Sequence, residues 1–174
     1  YHVADVPFVA SLGLEAIKIG SGEAMEVSLG EAVMGAGLPR VFVALGLCQN
    51  NPYQSAFVRD DWPRPEFLGA VTRYPAPLGI AAMELLYRWH SGVWVTTGPL
   101  PHALAGWSDH AVGLSECEAA ICCGATVIEK HVQLPHQARP CQPWEATMGE
   151  LAALRHFADE DPAQKYIGRW QGAG

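Results

Sequence analysis

Two short strings in the C-terminal half carry the residues best suited to chemistry: Gly106-Trp107-Ser108-Asp109-His110 and Ala125-Thr126-Val127-Ile128-Glu129-Lys130-His131. Each ends in a histidine, and a neutral imidazole is the commonest metal ligand among side chains. The second string reads as a β-branched strand, in which alternation places Val127, Glu129 and His131 on one face and Ile128 and Lys130 on the other. The same rule puts Ser108 with His110. Ala111 to Ala125 form an apolar helical stretch ending at Gly124, so the order is strand, helix, strand, which makes parallel neighbours. Such strands lie about 4.8 Å apart, and an imidazole binds a divalent ion at about 2.0–2.2 Å. His110 and His131 could therefore share one ion, with water, Glu129 or substrate completing the coordination; an open sphere of that kind suits catalysis. The competing reading of either histidine is a hydrogen-bonded scaffold or surface residue.

The elements that must position these strings alternate along the whole chain. Val6 to Leu12 reads as a helix closed by Gly13, and Glu15 to Ile19 as a strand running into Gly20-Ser21-Gly22. A helix over Glu23 to Met34 and a strand over Val41 to Ala44 follow. Gln49 to Pro65 is polar and proline-bearing, which marks a loop. Phe67 to Thr72 is a strand candidate, Ile80 to Trp89 a helix, Val93 to Thr97 a short strand or hairpin arm, and Ala103 to Trp107 the strand that delivers Ser108 and His110. The last helix spans Thr147 to Ala158, and residues 159–174 read as a tail. Alternation of this kind defines an α/β class with a parallel sheet. Lys18, Ser21, Glu23, Thr72, Tyr74, Ser108, His110, Glu129 and His131 all fall at or just beyond the C-terminal ends of strands, the rim where βα-barrels and open parallel sheets bind ligands.

The chain has 174 residues, an apolar content of 49% and a formal charge of −7, the makeup of a globular unit with a sizeable core. An acidic balance without a Lys/Arg cluster argues against nucleic acid and against an anionic membrane surface. No stretch approaches a membrane span, and no signal peptide opens the sequence. The five cysteines, Cys48, Cys117, Cys122, Cys123 and Cys141, have no zinc-type spacing, and a reducing cytoplasmic location is the simplest expectation. Cys117, Cys122 and Cys123 fall on the helix before Gly124, where they read as small buried hydrophobes.

In their order and spacing, Lys18-Ile19-Gly20-Ser21-Gly22-Glu23, Tyr74-Pro75-Ala76-Pro77, Gly106-Trp107-Ser108-Asp109-His110 and Gly124 to His131 resemble the sialic acid synthase family, barrel enzymes that condense phosphoenolpyruvate with an N-acyl amino sugar. The resemblance runs from Tyr1 to about Leu151. It implies a partial (β/α)8 TIM barrel over residues 1–158, roughly strands four to eight with their helices. The family's first strands, which bring an acidic residue and a lysine, are missing here, as is its C-terminal antifreeze-like domain, which contributes an arginine across a homodimer. Tyr1 in place of an initiator methionine adds to the expectation of a fragment. Such a remnant would leave two strand edges open to another chain.

Residue by residue, the resemblance implies that His110 and His131 hold Mn²⁺ or Mg²⁺, that Lys18, Ser21 and Ser108 contact phosphoenolpyruvate, and that Glu23 and Tyr74 contact the sugar. Thr72 stands at a substrate-binding position commonly asparagine or serine, and Glu129 at an acidic position beside the reacting centre, so the implied catalytic set is Glu129, His110 and His131. Three departures accompany the match. Ala44-Leu45-Gly46 replaces a Ser-Thr-Gly whose serine grips phosphate, Arg139-Pro140-Cys141-Gln142 replaces Gly-Pro-Asp-His, and the stretch from Pro77 to Ala105 is longer than usual. Two functions follow from this balance. The first is a metal-dependent synthase of a sialic acid-type nonulosonic acid, and the alternative is a catalytically silent barrel fragment that binds metal or ligand and needs a partner chain. A plain metal-dependent hydrolase would leave Lys18 to Ser21 and Tyr74-Pro75 unexplained.

Overall fold

The computed structural model describes residues 2–47, 55–57, 65–81 and 104–160. Five strands form one sheet in sequence order: β1 (Ile17–Ile19), β2 (Val41–Ala44), β3 (Glu66–Ala70), β4 (Leu104–Asp109) and β5 (Val127–Lys130). Every adjacent pair is parallel. Four helices of the described residues are α1 (Val6–Ser11), α2 (Val27–Gly35), α3 (Ser115–Cys122) and α4 (Met148–Asp159). Sequence order in a parallel sheet with helical crossovers is the arrangement of an arc of a βα-barrel.

Alternation sorts the side chains onto two faces. Ile17, Ile19, Val41, Val43, Phe67, Leu104, Trp107 and Ile128 belong to the apolar core shared with the helices. The opposite face carries Lys18, Ser108 and Glu129, brought into line by the registers Lys18 with Phe42 and Ser108 with Glu129. Phe67 is fully buried, and burying a side chain of that size stabilises the fold by about 1.5–3 kcal/mol. Trp107 lies over Gly69, and a Cβ there would come within 2.6 Å of the indole. A methyl at Gly106 would overlap the Val127 carbonyl, so the glycine that opens the first histidine string is required by the approach of β4 to β5.

Local signals account for most element ends. Gly124, at φ 92°, closes α3 with bonds from its own N–H to Ile121 and from Ala125 N–H to Ala120, the Schellman pattern. Thr147 and Glu150 form a capping box at the start of α4. The helix expected over Glu23 to Met34 is instead divided: a 3-10 turn covers Glu23–Met25, Glu26 is extended, and α2 begins at Val27. The cause is tertiary. The Ala24 carbonyl accepts from Ala56 N–H at 2.8 Å and from the Ser55 hydroxyl at 3.0 Å, so it does not continue the helical ladder. The third strand also ends at Ala70, before the expected Thr72, and the first begins at Ile17. Cys117 is buried as expected, whereas Cys122 and Cys123, at the C-terminal end of α3, are only half-buried. Ile80 and Ala81 begin a helix. The rest of that element, the Val93 to Thr97 strand, Cys48, nearly all of the Gln49 to Pro65 loop and the tail beyond residue 160 lie outside the described residues.

The two rims of the sheet differ. At the N-terminal ends, Arg40 makes a two-pronged contact with Glu66 at 2.7 and 2.8 Å and covers the Phe42 ring, an arrangement that ties β2 to β3. An apolar groove of about 370 Å³ follows the outer edge of β1, lined mainly by α1, α2 and the strand itself. The clustered polar side chains lie at the C-terminal rim.

Candidate functional site

β5 and β4 deliver Glu129 and Ser108 at one register position, and β1 delivers Lys18 from across the curled sheet. The Ser108 hydroxyl donates to Glu129 Oε2, and Lys18 Nζ lies 3.0 Å from the same oxygen. Burial opposes ionisation of Glu129, but the Ser108 bond and the Lys18 charge outweigh it and hold the carboxyl below its ordinary range. Lys18 and Glu129 keep 31% and 34% of their side-chain surface exposed, so both remain open to a ligand.

The two histidines follow immediately after the ends of β4 and β5. His110 is 5% exposed and is held at both ring nitrogens. Nδ1 donates to the Val71 carbonyl at 2.6 Å, which leaves the Nε2 lone pair to accept from the Tyr74 hydroxyl at 3.0 Å. Burial, followed by the neighbouring His131, keeps the His110 imidazole below its usual pKa despite the Val71 bond and Glu129, and so favours the neutral ligand form. The His110 and His131 rings have centroids 5.4 Å apart and stand at 62°. Two imidazoles sharing an ion at about 2.1 Å would have centroids about 4.5–5.3 Å apart. The observed pair is close to that spacing, and the Nδ1 bond to a carbonyl is the outer-shell arrangement that metal-binding histidines commonly have. Among the described residues, no group of three or more His, Cys, Asp or Glu side chains is placed to hold an ion. The histidine pair would thus leave most of the coordination sphere open.

Tyr74 completes this part of the site. A bond from Ala76 N–H to the His110 carbonyl at 2.9 Å seats its turn over β4. Its ring stands 4.2 Å from His110 and 5.6 Å from His131, and burial together with Glu129 raises the phenol pKa. Ser21 and Thr72 meet at a different point of the rim. Gly46 N–H donates to Ser21 Oγ at 3.0 Å, and a Cβ on Gly46 would strike Thr72 Cγ2 and Ser21 Oγ. Glu23 lies against Gly20 and lines a groove of about 420 Å³ with His2, Glu26 and Ser28. The nine predicted residues therefore fall into a Lys18, Ser108, Glu129 group, a Tyr74, His110, His131 group joined to it electrostatically through Glu129, a Ser21, Thr72 pair, and Glu23.

Sequence reasoning passed over three contributors. Trp144 stands 5.5 Å edge-on to Tyr74, placed there because Ala146 N–H bonds the His131 carbonyl and Gln133 N–H bonds the Ala146 carbonyl. Glu145, buried beside it, accepts from Arg139 and from Gln142 N–H, and these bonds, the Arg139 one foremost, depress its pKa to about 2. Glu116 on α3 accepts from the N–H groups of Gly79, Ile80 and Ala81, capping the helix that begins at Ile80. No local motif announces such contacts, which span as many as 37 positions of sequence. Asp109 orders the turn after β4, accepting from Ala111 N–H at 2.9 Å.

Fold and site together define a partial βα-barrel with an open polar centre at the C-terminal rim of its strands. The sequence profile of the NeuB family matches residues 1–152, and the chain belongs to that family. Among solved structures, it is similar to the N-acetylneuraminic acid (sialic acid) synthetase of Leptospira borgpetersenii serovar Hardjo-bovis, crystallised with citrate. That match has a TM-score of 0.71 and 20% identity over 99% of this chain and 63% of that one. The spore coat polysaccharide biosynthesis protein E of Chromobacterium violaceum matches with a TM-score of 0.68 and 22% identity, over 91% of this chain and 46% of that one. SpsE of Bacillus subtilis, also a spore coat polysaccharide biosynthesis protein, matches at 0.65 and 19%, over 99% and 46%. The chain thus spans 63% of the first of these relatives and less than half of the other two. A search of curated proteins returned no match. Among the described residues, no helix is long and apolar enough to cross a membrane.

Proposed function

We propose that this chain carries the metal and phosphoenolpyruvate half of a sialic acid synthase-type site, which condenses phosphoenolpyruvate with an N-acyl amino sugar and releases phosphate. The observation that carries the reading is the convergence of Lys18, Ser108 and Glu129 with His110 and His131 at one strand rim, in a chain of the NeuB family. His110 and His131 would hold a divalent ion, Mn²⁺ or Mg²⁺, and such an ion supplies Lewis-acid polarisation of a carbonyl oxygen. Lys18, the Ser108 hydroxyl and Ser21 suit the phosphate and carboxylate oxygens of phosphoenolpyruvate. Glu129, kept ionised between Lys18 and Ser108, can take a proton at Oε2. The His110 Nε2 lone pair that now accepts from Tyr74 would turn to the ion and free that hydroxyl, which with Glu23 is assigned to the sugar, while Thr72, beside Ser21, is assigned to substrate binding. Residues 1–158 form the barrel part of this reading, with residues 159–174 as its tail.

A second reading, ligand binding without turnover, is favoured by Ala44. That residue stands at the end of β2 and is 1% exposed, and it offers no hydroxyl where the family resemblance places one.

Calorimetric titration of Mn²⁺, with and without phosphoenolpyruvate, followed by a phosphate-release assay with an N-acyl mannosamine, separates these readings. The synthase reading expects Mn²⁺ binding that is lost in His110→Ala and His131→Ala, together with phosphate release that requires both substrates. Binding without release supports the second reading, and a folded chain with no binding overturns both.

A further inference from the structure

Asp109 and Lys130 each precede one of the two histidines, face the opposite side of the sheet, and sit directly across from one another in the β4–β5 register. Lys130 Nζ lies 2.6 Å from Asp109 Oδ2, with side-chain exposures of 2% and 1%. Both partners also grip the residue after His110: Asp109 Oδ1 accepts from Ala111 N–H at 2.9 Å, and Lys130 Nζ donates to the Ala111 carbonyl at 2.6 Å. The Cys117 thiol adds a bond to Asp109 Oδ2 at 3.2 Å, which ties α3 to the same point.

We infer that Asp109 and Lys130 are a positioning pair whose bonds to each other and to Ala111 set the separation of the His110 and His131 imidazoles. The reasoning is geometric. His110 is the first residue past β4; its carbonyl accepts from Ala76 N–H, and its backbone is bracketed by Asp109 on one side and by an anchored Ala111 on the other. The anchor is the ammonium of the residue that precedes His131, so one side chain fixes both histidine-bearing ends. Sealing two charges away from water is costly, and an apolar pair would pack there more cheaply. An apolar pair could not hold the Ala111 carbonyl, and that is what the ion pair contributes to the site. The functional meaning of the spacing rests on the metal reading above, whereas the spacing itself can be measured without metal.

The test compares the full chain with Asp109→Asn/Lys130→Met, which removes both charges without leaving either one orphaned, and with Lys130→Gln, which keeps an N–H donor for Ala111 and Asp109 but removes the counter-charge of Asp109. The readouts are the NMR cross-peak between the His110 and His131 rings, the Mn²⁺ affinity, and the denaturation midpoint. The double variant is expected to remain folded, lose the cross-peak and bind Mn²⁺ at least tenfold more weakly, while Lys130→Gln keeps the cross-peak and binds within about threefold of the parent. A residue pair that merely stabilised the fold would move the midpoint and leave the cross-peak unchanged. An unchanged cross-peak in the folded double variant overturns the inference, as does equal behaviour of the two variants. A double variant that does not fold would make the pair a requirement of folding rather than a spacer, and would overturn it as well. If the parent chain binds no Mn²⁺, the metal reading fails while the cross-peak comparison still decides the spacing.

Discussion

Ser108 and Asp109 on one strand face Glu129 and Lys130 on the next, and these neighbouring rungs form two polar clusters on opposite sides of a single sheet. On the side with Lys18, the Lys18–Glu129 pair keeps about a third of its surface in contact with solvent. On the helix-packed side, Asp109 and Lys130 are sealed; they bond each other and the Ala111 backbone, and Asp109 also accepts from the Cys117 thiol. The chemistry of the residues is nearly the same, a carboxylate beside an ammonium. What differs is access. The open pair can exchange its partner for a ligand, whereas the sealed pair can only hold the scaffold in place.

The strongest way to break this comparison is to remove one member of each pair. Lys130→Ala should cost about 3–5 kcal/mol in urea denaturation, because it strands a buried carboxylate. Glu129→Gln should cost no more than about 1 kcal/mol, as a solvent-screened pair contributes little, and the proposed synthase reading further expects it to abolish phosphate release. Equal costs would show that the two sides are not different environments.

Acid sharpens the contrast. Because the folded-state pKa of Glu129 is depressed below 4.5, its contribution to stability is present above about pH 4.5 and disappears as pH falls through the folded value. The stability difference between the parent and Glu129→Gln should therefore shrink on acidification through that window. A difference that persists below it would contradict the assignment. Ser108→Ala should move the Glu129 titration upward, toward its ordinary value, in an NMR pH series. The smallest effect is expected from salt. At 1 M, where the screening length is about 3 Å, the Glu129 titration should also drift upward, while the midpoint difference caused by Lys130→Ala should not change.

Much of the architecture was legible because the signals are local. β-branched runs mark Val41–Ala44 and Val127–Lys130, and Gly13 and Gly124 mark helix ends through their positive φ. Period-two alternation set Glu129 and Lys130 on opposite faces of their strand, since the pleat leaves no other choice. The division of the Glu23 to Met34 segment was not legible, because Ser55 and Ala56 take the Ala24 carbonyl from a distant part of the chain. Trp144 was missed for the same kind of reason. It reaches Tyr74 only because residues 131–133 pair with Ala146.

The sequence by itself determined which residues alternate onto which face, where the turns fall, and that two histidines close adjacent parallel strands. Those properties follow from backbone periodicity and from the conformational preferences of glycine and the β-branched residues, which act over a few positions. Only the tertiary structure decided that Lys18 reaches Glu129 across the sheet, that the Val71 carbonyl holds His110 Nδ1 and directs Nε2 toward Tyr74, and that Asp109 with Lys130 is shut away from water. Each of these depends on the curl of the sheet and the packing of α3 behind it, and therefore on contacts between segments whose separation in sequence carries no local signature.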